Sequence, residues 1–231
     1  MKKKAISILI ILAMIVGCTV ACTKAPQTLV VLGDSIAYGR VGTVDRNTES
    51  YAAIVANAKG YILYNDAVDG HESRDLRFKL LNHEDIRSHV AESDIVVIYI
   101  GGNDFLHKDV EALLAQAANS DFAKINGILS TLEANLQDIF TAISVLNPNA
   151  TVIVQTLYNP SYGKQRADYQ TVCDMVNEVL TDTAGAYGFH ILDVGTPFDE
   201  QRELIYGDCI HPSVAGHARI AELLLALLNT L

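Results

Sequence analysis

The sequence predicts a three-layer α/β/α sandwich built on a parallel five-stranded sheet. Five short apolar, β-branched runs alternate with helix-period stretches, the pattern of successive βαβ units. The strongest run, Asp94–Ile100 (DIVVIYI), is apolar without alternation, as in a parallel strand buried on both faces. A chain of 231 residues, half hydrophobic and 19% charged, holds one large core and is globular rather than disordered. No period of 20–50 residues recurs, which excludes a solenoid.

Taken in order, the first strand lies in Thr28–Leu32 and stops at Gly33-Asp34-Ser35. A Gly-rich polar loop, Gly39–Thr48, leads to a helix over Tyr51–Lys59 that Gly60 ends. Tyr61–Tyr64 is the second strand and runs into Asn65–Gly70; a polar helix over about Ser73–Leu81 follows. The third strand, Asp94–Ile100, stops at Gly101-Gly102-Asn103-Asp104, with a helical stretch over about Val110–Asn119. Ile125, Ile128, Leu129, Leu132, Leu136, Ile139, Ile143 and Leu146 then form one stripe of a long amphipathic helix. Asn147-Pro148-Asn149 breaks it. Thr151–Thr156 is the fourth strand, and Asp168–Asp182 a helix with Val172, Met175, Val176 and Val179 facing inward. His190–Val194 is a short fifth strand, Asp208–His211 is loop, and Pro212 opens the last helix. The commonest order for such a sheet, 2-1-3-4-5, sets the first and third strands side by side. Ser35 and Asn103 then line one crevice at the carboxyl ends of the strands, where ligands bind in this architecture.

The amino terminus is of another kind. Lys2, Lys3 and Lys4 precede Ala5–Val16, which is apolar except for Ser7, the form of an export signal. The run is short of the roughly 20 apolar residues that a permanent membrane span needs. Ile15-Val16-Gly17-Cys18 resembles the lipobox of bacterial lipoproteins, which implies lipidation at Cys18; Thr19-Val20-Ala21-Cys22 is a poorer match, and secretion without a lipid is the plain alternative. The expected organisation is a signal peptide over 1–17, a lipid-anchored linker over 18–27 and one folded domain over 28–231. The expected place is the outer face of the bacterial cytoplasmic membrane, or the periplasm or medium without the lipid. Removing residues 1–17 takes three basic and no acidic residues, lowering the net charge from −10 to −13. A chain this acidic argues against a nucleic-acid partner. Cys173 and Cys209 could pair in an exported protein or stay free.

A hydroxyl nucleophile needs a base within hydrogen-bond reach and a third group to orient that base. Ser35, delivered at a strand end, is the candidate nucleophile, although serine is also a preferred helix N-cap. Of the seven histidines, His211 stands apart, because Asp208 precedes it by three residues in one tight loop. The same spacing also suits an N-cap aspartate beside an exposed histidine. A developing oxyanion needs donors aimed at one point, and Gly70 and Asn103 follow the second and third strands. Each also has a bland reading, as a turn glycine and an Asx-type loop asparagine.

Together the four blocks resemble the SGNH, or GDSL-type, hydrolases. Leu32-Gly33-Asp34-Ser35-Ile36 matches the first motif, Asn65–Gly70 the glycine block, Gly101-Gly102-Asn103-Asp104 the G-x-N-D motif, and Asp208-Cys209-Ile210-His211-Pro212 the D-x-x-H-P motif. The resemblance spans residues 28–231 in the family's order. It implies a flavodoxin-like sandwich and a serine esterase or acylhydrolase needing no metal or cofactor. It also implies a triad of Ser35, His211 and Asp208, and an oxyanion hole made by Ser35, Gly70 and Asn103. Asp34 and Asp104 are expected to hold loops. Cys209, unexpected in its motif, is a weak rival nucleophile.

The implied substrates are acylated lipids, lysophospholipids or O-acylated carbohydrates. The competing function is a tethered ligand-binding lipoprotein on a disarmed scaffold of the same fold. A nucleotide-binding domain is disfavoured, since no G-x-G-x-x-G or G-x-x-x-x-G-K-[ST] follows the first strand. Loops over Tyr38–Thr48, Tyr158–Arg166 and Pro197–Tyr206, with Tyr38, Tyr158, Tyr162 and Tyr206, are expected to build the pocket. The short chain leaves little room for a lid, which predicts small or exposed ester groups.

Overall fold

The computed structural model describes residues 25–40, 45–161, 166–199 and 201–231. Residues 1–17, expected to be an export signal, Cys18, Cys22 and Tyr162 lie outside these residues. Five strands, β1 (Thr28–Gly33), β2 (Ile62–Asn65), β3 (Ile95–Tyr99), β4 (Thr151–Gln155) and β5 (His190–Leu192), form one all-parallel sheet in the order β2-β1-β3-β4-β5. This is the expected order, and it places β1 beside β3 in the register Val31↔Val97. Both strands read as unbroken apolar runs because both faces of the sheet are covered.

The helices are α1 (Ser35–Tyr38), α2 (Arg46–Glu49), α3 (Tyr51–Lys59), α4 (Ser73–Asn82), α5 (Glu84–Ala91), α6 (Gly102–Leu106), α7 (Val110–Ala118), α8 (Ala123–Leu146), α9 (Arg166–Ala186), α10 (Gly195–Phe198) and α11 (Val214–Leu228). The stripe of α8 buries Ile125, Leu129, Leu132, Leu136, Ile139 and Ile143, as its period requires. On α9 the buried face is Val172, Cys173, Val176 and Leu180; Met175 and Val179 are only partly buried. The chain also makes α1, α2, α5, α6 and α10, none of which the apolar pattern announces, because elements this short or polar bury few side chains; α2 begins inside the expected loop Gly39–Thr48. Pro212 precedes α11 rather than opening it. Ser213 is the N-cap, accepting from the Gly216 N–H, and Pro212 bridges back to Ile205. No helix among the described residues is long and apolar enough to cross a membrane.

The turn after β1 is sterically fixed. Gly33 has φ +138°, and a Cβ there would overlap the Tyr99 carbonyl oxygen, which also accepts the Asp34 N–H at 3.1 Å. β1 and β3 therefore end in direct contact, one residue short of Ser35.

Candidate active site

Ser35 is the first residue of α1, not its cap. Asp34 takes the cap, its Oδ1 accepting the Ile36 N–H at 2.9 Å. That releases the Ser35 hydroxyl, which meets His211 Nε2 at 2.9 Å across 176 residues of sequence. On the other side of the ring, His211 Nδ1 lies 2.7 Å from Asp208 Oδ2. Asp208 Oδ1 accepts the N–H groups of Ile210 and His211, both at 3.0 Å. Burial pushes the Asp208 carboxyl up, but the backbone N–H and imidazole of His211 and the Ile210 N–H outweigh it and hold the group below its ordinary range. An ionised Asp208 only accepts, so Nδ1 carries the imidazole proton and Nε2 faces Ser35 as the acceptor.

The loop that carries His211 is closed on itself. Tyr206 N–H donates to His211 O at 2.7 Å and Ser213 N–H to Leu204 O at 2.8 Å. The Tyr158 hydroxyl donates to Ile210 O at 2.6 Å while its ring stacks on Phe198, centroids 4.6 Å apart. Gly216 is required at the start of α11, because a Cβ there would overlap Leu204 O. Neither Tyr158 nor Gly216 carries chemistry in its residue type, and sequence reasoning assigned them no part in holding His211.

The glycine block and the end of β3 converge on the same place. Asn65 Nδ2 donates to Ala37 O at 3.0 Å and Val68 N–H to Gly33 O at 3.0 Å, which ties the block to the end of β1. Gly70 adopts φ +79°, a left-handed turn that glycine takes at no steric cost. Asn103 sits in the first turn of α6, one amide proton committed to His71 O at 3.0 Å and the other left over. Among the described residues the Ser35 and Gly70 N–H groups have no acceptor. Ser35, Gly70, Asn103 and His211 all line one cavity of about 370 Å³, while Asp208 stands behind His211 outside it.

Asp34 and Asp104 hold loops, as expected. Burial, first of all, pushes the Asp34 carboxyl up to about 7, against the pull of the Ile36 and Ala37 N–H groups. Asp104 also lies above its ordinary range through burial, opposed by its bonds from Ser73. Cys209 is a poor rival for Ser35. It takes a left-handed φ of 61°, its thiol is exposed and directed at Gly207 O, and it does not line the cavity. Cys173 and Cys209 are both free, the first buried with a thiol that burial pushes up to about 12.

The expected pocket loops fare unevenly. Arg40, Tyr158 and Pro160 line the cavity; no described residue of Pro197–Tyr206 does. Tyr38 is instead covered by the Arg46 guanidinium, 3.7 Å from its ring, and Tyr206 is exposed. α7 and α9 add apolar wall to it; sequence reasoning had turned Val172 and Val176 of α9 inward and had given α7 no part in the pocket.

A parallel β2-β1-β3-β4-β5 sheet with a serine–histidine pair and the Gly70 and Asn103 amides at one cavity on its carboxyl edge is the architecture of an α/β hydrolase. The chain belongs to the GDSL-like lipase/acylhydrolase family of carboxylic ester hydrolases, whose sequence profile matches residues 31–219. Three solved structures are similar in fold. A lipase from a goat rumen metagenome is 21% identical, with 87% of this chain and 96% of that one covered and a TM-score of 0.71. An extracellular lipase from Streptomyces rimosus is 24% identical, with 87% and 99% covered and a TM-score of 0.69. An acetylxylan esterase from Geobacillus stearothermophilus is 23% identical, with 87% and 93% covered and a TM-score of 0.61. No curated protein matches the chain.

Proposed function

We propose that the protein hydrolyses acyl esters with Ser35 as nucleophile, His211 as general base and acid, and Asp208 as the group that orients His211. The observation that carries this reading is the continuous line from Asp208 through His211 to Ser35, ending in the cavity. Ser35 Oγ attacks the ester carbonyl carbon as its proton passes to His211 Nε2, and ionised Asp208 stabilises the imidazolium. The carbonyl oxygen becomes an oxyanion that the Ser35 and Gly70 N–H groups and the Asn103 amide receive. The intermediate collapses when His211 returns the proton to the departing alcohol. Water then repeats the sequence on the acyl-serine and releases the acid. The intact relay is what a disarmed binding scaffold would lack.

Ser35→Ala should cut kcat on p-nitrophenyl esters by at least about 10³-fold and abolish labelling by a fluorophosphonate probe. Hydrolysis at the wild-type rate by the purified variant would sink the proposal. We read residues 1–17 as an export signal and Cys18 as the lipidated residue, on the lysine-led apolar run and Ile15–Cys18. Cys18→Ser should move the protein from the membrane fraction to the soluble one. Continued membrane retention would point to Cys22 or to no lipid.

A further inference from the structure

The cavity beside Ser35 has two chemically different parts. Its polar groups come from the elements that carry the proposed chemistry, from the Arg40–Asp69 ion pair, which joins the first loop to the glycine block, and from Tyr158 and Tyr169. Beyond these, the wall is formed by Val110, Leu113 and Leu114 of α7 and by Val172, Cys173 and Val176 of α9. α7 and α9 contribute no charged side chain to it. Val176 is 1% exposed, the least of these six.

This part is preformed. Asn177 and the Leu157 backbone bond in both directions, Leu157 N–H to Asn177 Oδ1 at 2.7 Å and Asn177 Nδ2 to Leu157 O at 2.9 Å. That pair fixes α9 to the end of β4 beside the cavity. Cys173 Sγ lies 3.7 Å from Tyr158 O, which holds the thiol in the wall. An acetyl group would fill only the mouth and leave the apolar walls against water or void, which a substrate-binding site gains nothing by maintaining.

Resting on the reading of Ser35 as nucleophile, we propose that the space between α7 and α9 is an acyl channel for a straight fatty chain of medium length, held by the apolar part of the cavity of about 370 Å³ beside its polar mouth. The substrate class is then a medium-chain fatty ester rather than an O-acetylated carbohydrate. This reverses the expectation of small ester groups. A lid is not needed, because the walls of the channel are faces of α9, packed on β4 and β5, and of α7, packed on α9.

The test is a p-nitrophenyl ester series from acetate to palmitate, run on the full chain below the micellar concentration of each ester. Burying each methylene is worth roughly three- to fourfold in kcat/KM, so octanoate or decanoate should exceed acetate by at least about 100-fold. Palmitate should fall below decanoate. Cys173→Phe should lower the decanoate-to-acetate ratio at least about 30-fold by filling the channel. Val172→Phe gives the same readout if Cys173→Phe does not fold. Decanoic acid should also bind the Ser35→Ala variant with a negative heat-capacity change, while butyric acid should not. A serine-dependent profile that is flat or led by acetate would overturn the channel and leave the hydrolase reading standing. Decanoic acid binding to a protein whose turnover does not need Ser35 would do the reverse.

Discussion

Asp104 clasps Ser73 with both carboxylate oxygens. Oδ1 accepts the Ser73 hydroxyl at 2.5 Å and Oδ2 the Ser73 N–H at 2.9 Å, and Asn135 of α8 donates to the same hydroxyl at 2.9 Å. Asp104 follows Asn103, and Ser73 lies three residues after Gly70, so one buried clasp sets the spacing of the two proposed oxyanion donors. Glu72 adds a second brace, with His107 Nδ1 at 3.1 Å and Lys108 Nζ at 3.4 Å from its Oε1.

Asp104→Ala should therefore act on rate and stability together. It strands the buried N–H and hydroxyl of Ser73, at a cost of about 1–3 kcal/mol each where no replacement bond forms. The misplaced donors should lower kcat by about 10- to 100-fold with little change in KM, since the lost contact is to the transition state. Urea unfolding beside ester kinetics checks both. Asn103→Ala, which removes the donor itself, should cost about 10²–10³ in kcat with a smaller loss in stability, since it breaks only the bond to His71 O. If Asp104→Ala unfolds at the wild-type midpoint, the clasp does not support the fold.

Two buried titratable groups should give opposite pH dependences of stability in one window. Burial lowers His217 to about 4; its Nδ1 accepts the Tyr51 N–H at 3.4 Å. As pH falls from 6.5 towards 4, the unfolded chain binds the proton and the folded one does not, so this group's contribution is lost with acid. Asp34, raised to about 7, keeps its proton in the folded state when the unfolded one has released it. Its contribution is lost as pH rises from about 4 to 7. Comparing each variant with wild type isolates the group. The wild-type advantage over His217→Gln should shrink on acidification, and that over Asp34→Asn should shrink on alkalinisation. Each slope should approach about 1.4 kcal/mol per pH unit. Parallel stability curves for wild type and variant across pH 4–7 would refute either assignment.

Gly216→Ala should be far worse than a Gly-to-Ala change inside an exposed helix. Such a change normally stabilises by up to about 1 kcal/mol, through propensity and the unfolded chain. Here the methyl would meet Leu204 O, the acceptor that ties Ser213 into the His211 loop. The expected loss is at least about 2 kcal/mol, with a matching fall in kcat as His211 shifts. A variant as stable and as active as wild type would show that the loop can yield.

The sequence by itself determined the sheet, its strand order and the residues at its carboxyl edge. Continuous apolar runs such as Ile95–Tyr99 admit one environment, and the βαβ rule then leaves few topologies. The blocks around Ser35, Gly70, Asn103 and His211 were legible because the proposed chemistry needs those residue types. Only the tertiary structure decided how these residues meet: that Asp34 rather than Ser35 caps α1, that the Ser35 hydroxyl lies 2.9 Å from His211 Nε2, and that Cys209 points away. It also decided the fate of the apolar stripes on α7 and α9. Valine and leucine at helical spacing carry the same signal whether they fill a core or line a cavity. The difference lies in the gap between two packed helices, which no periodicity records.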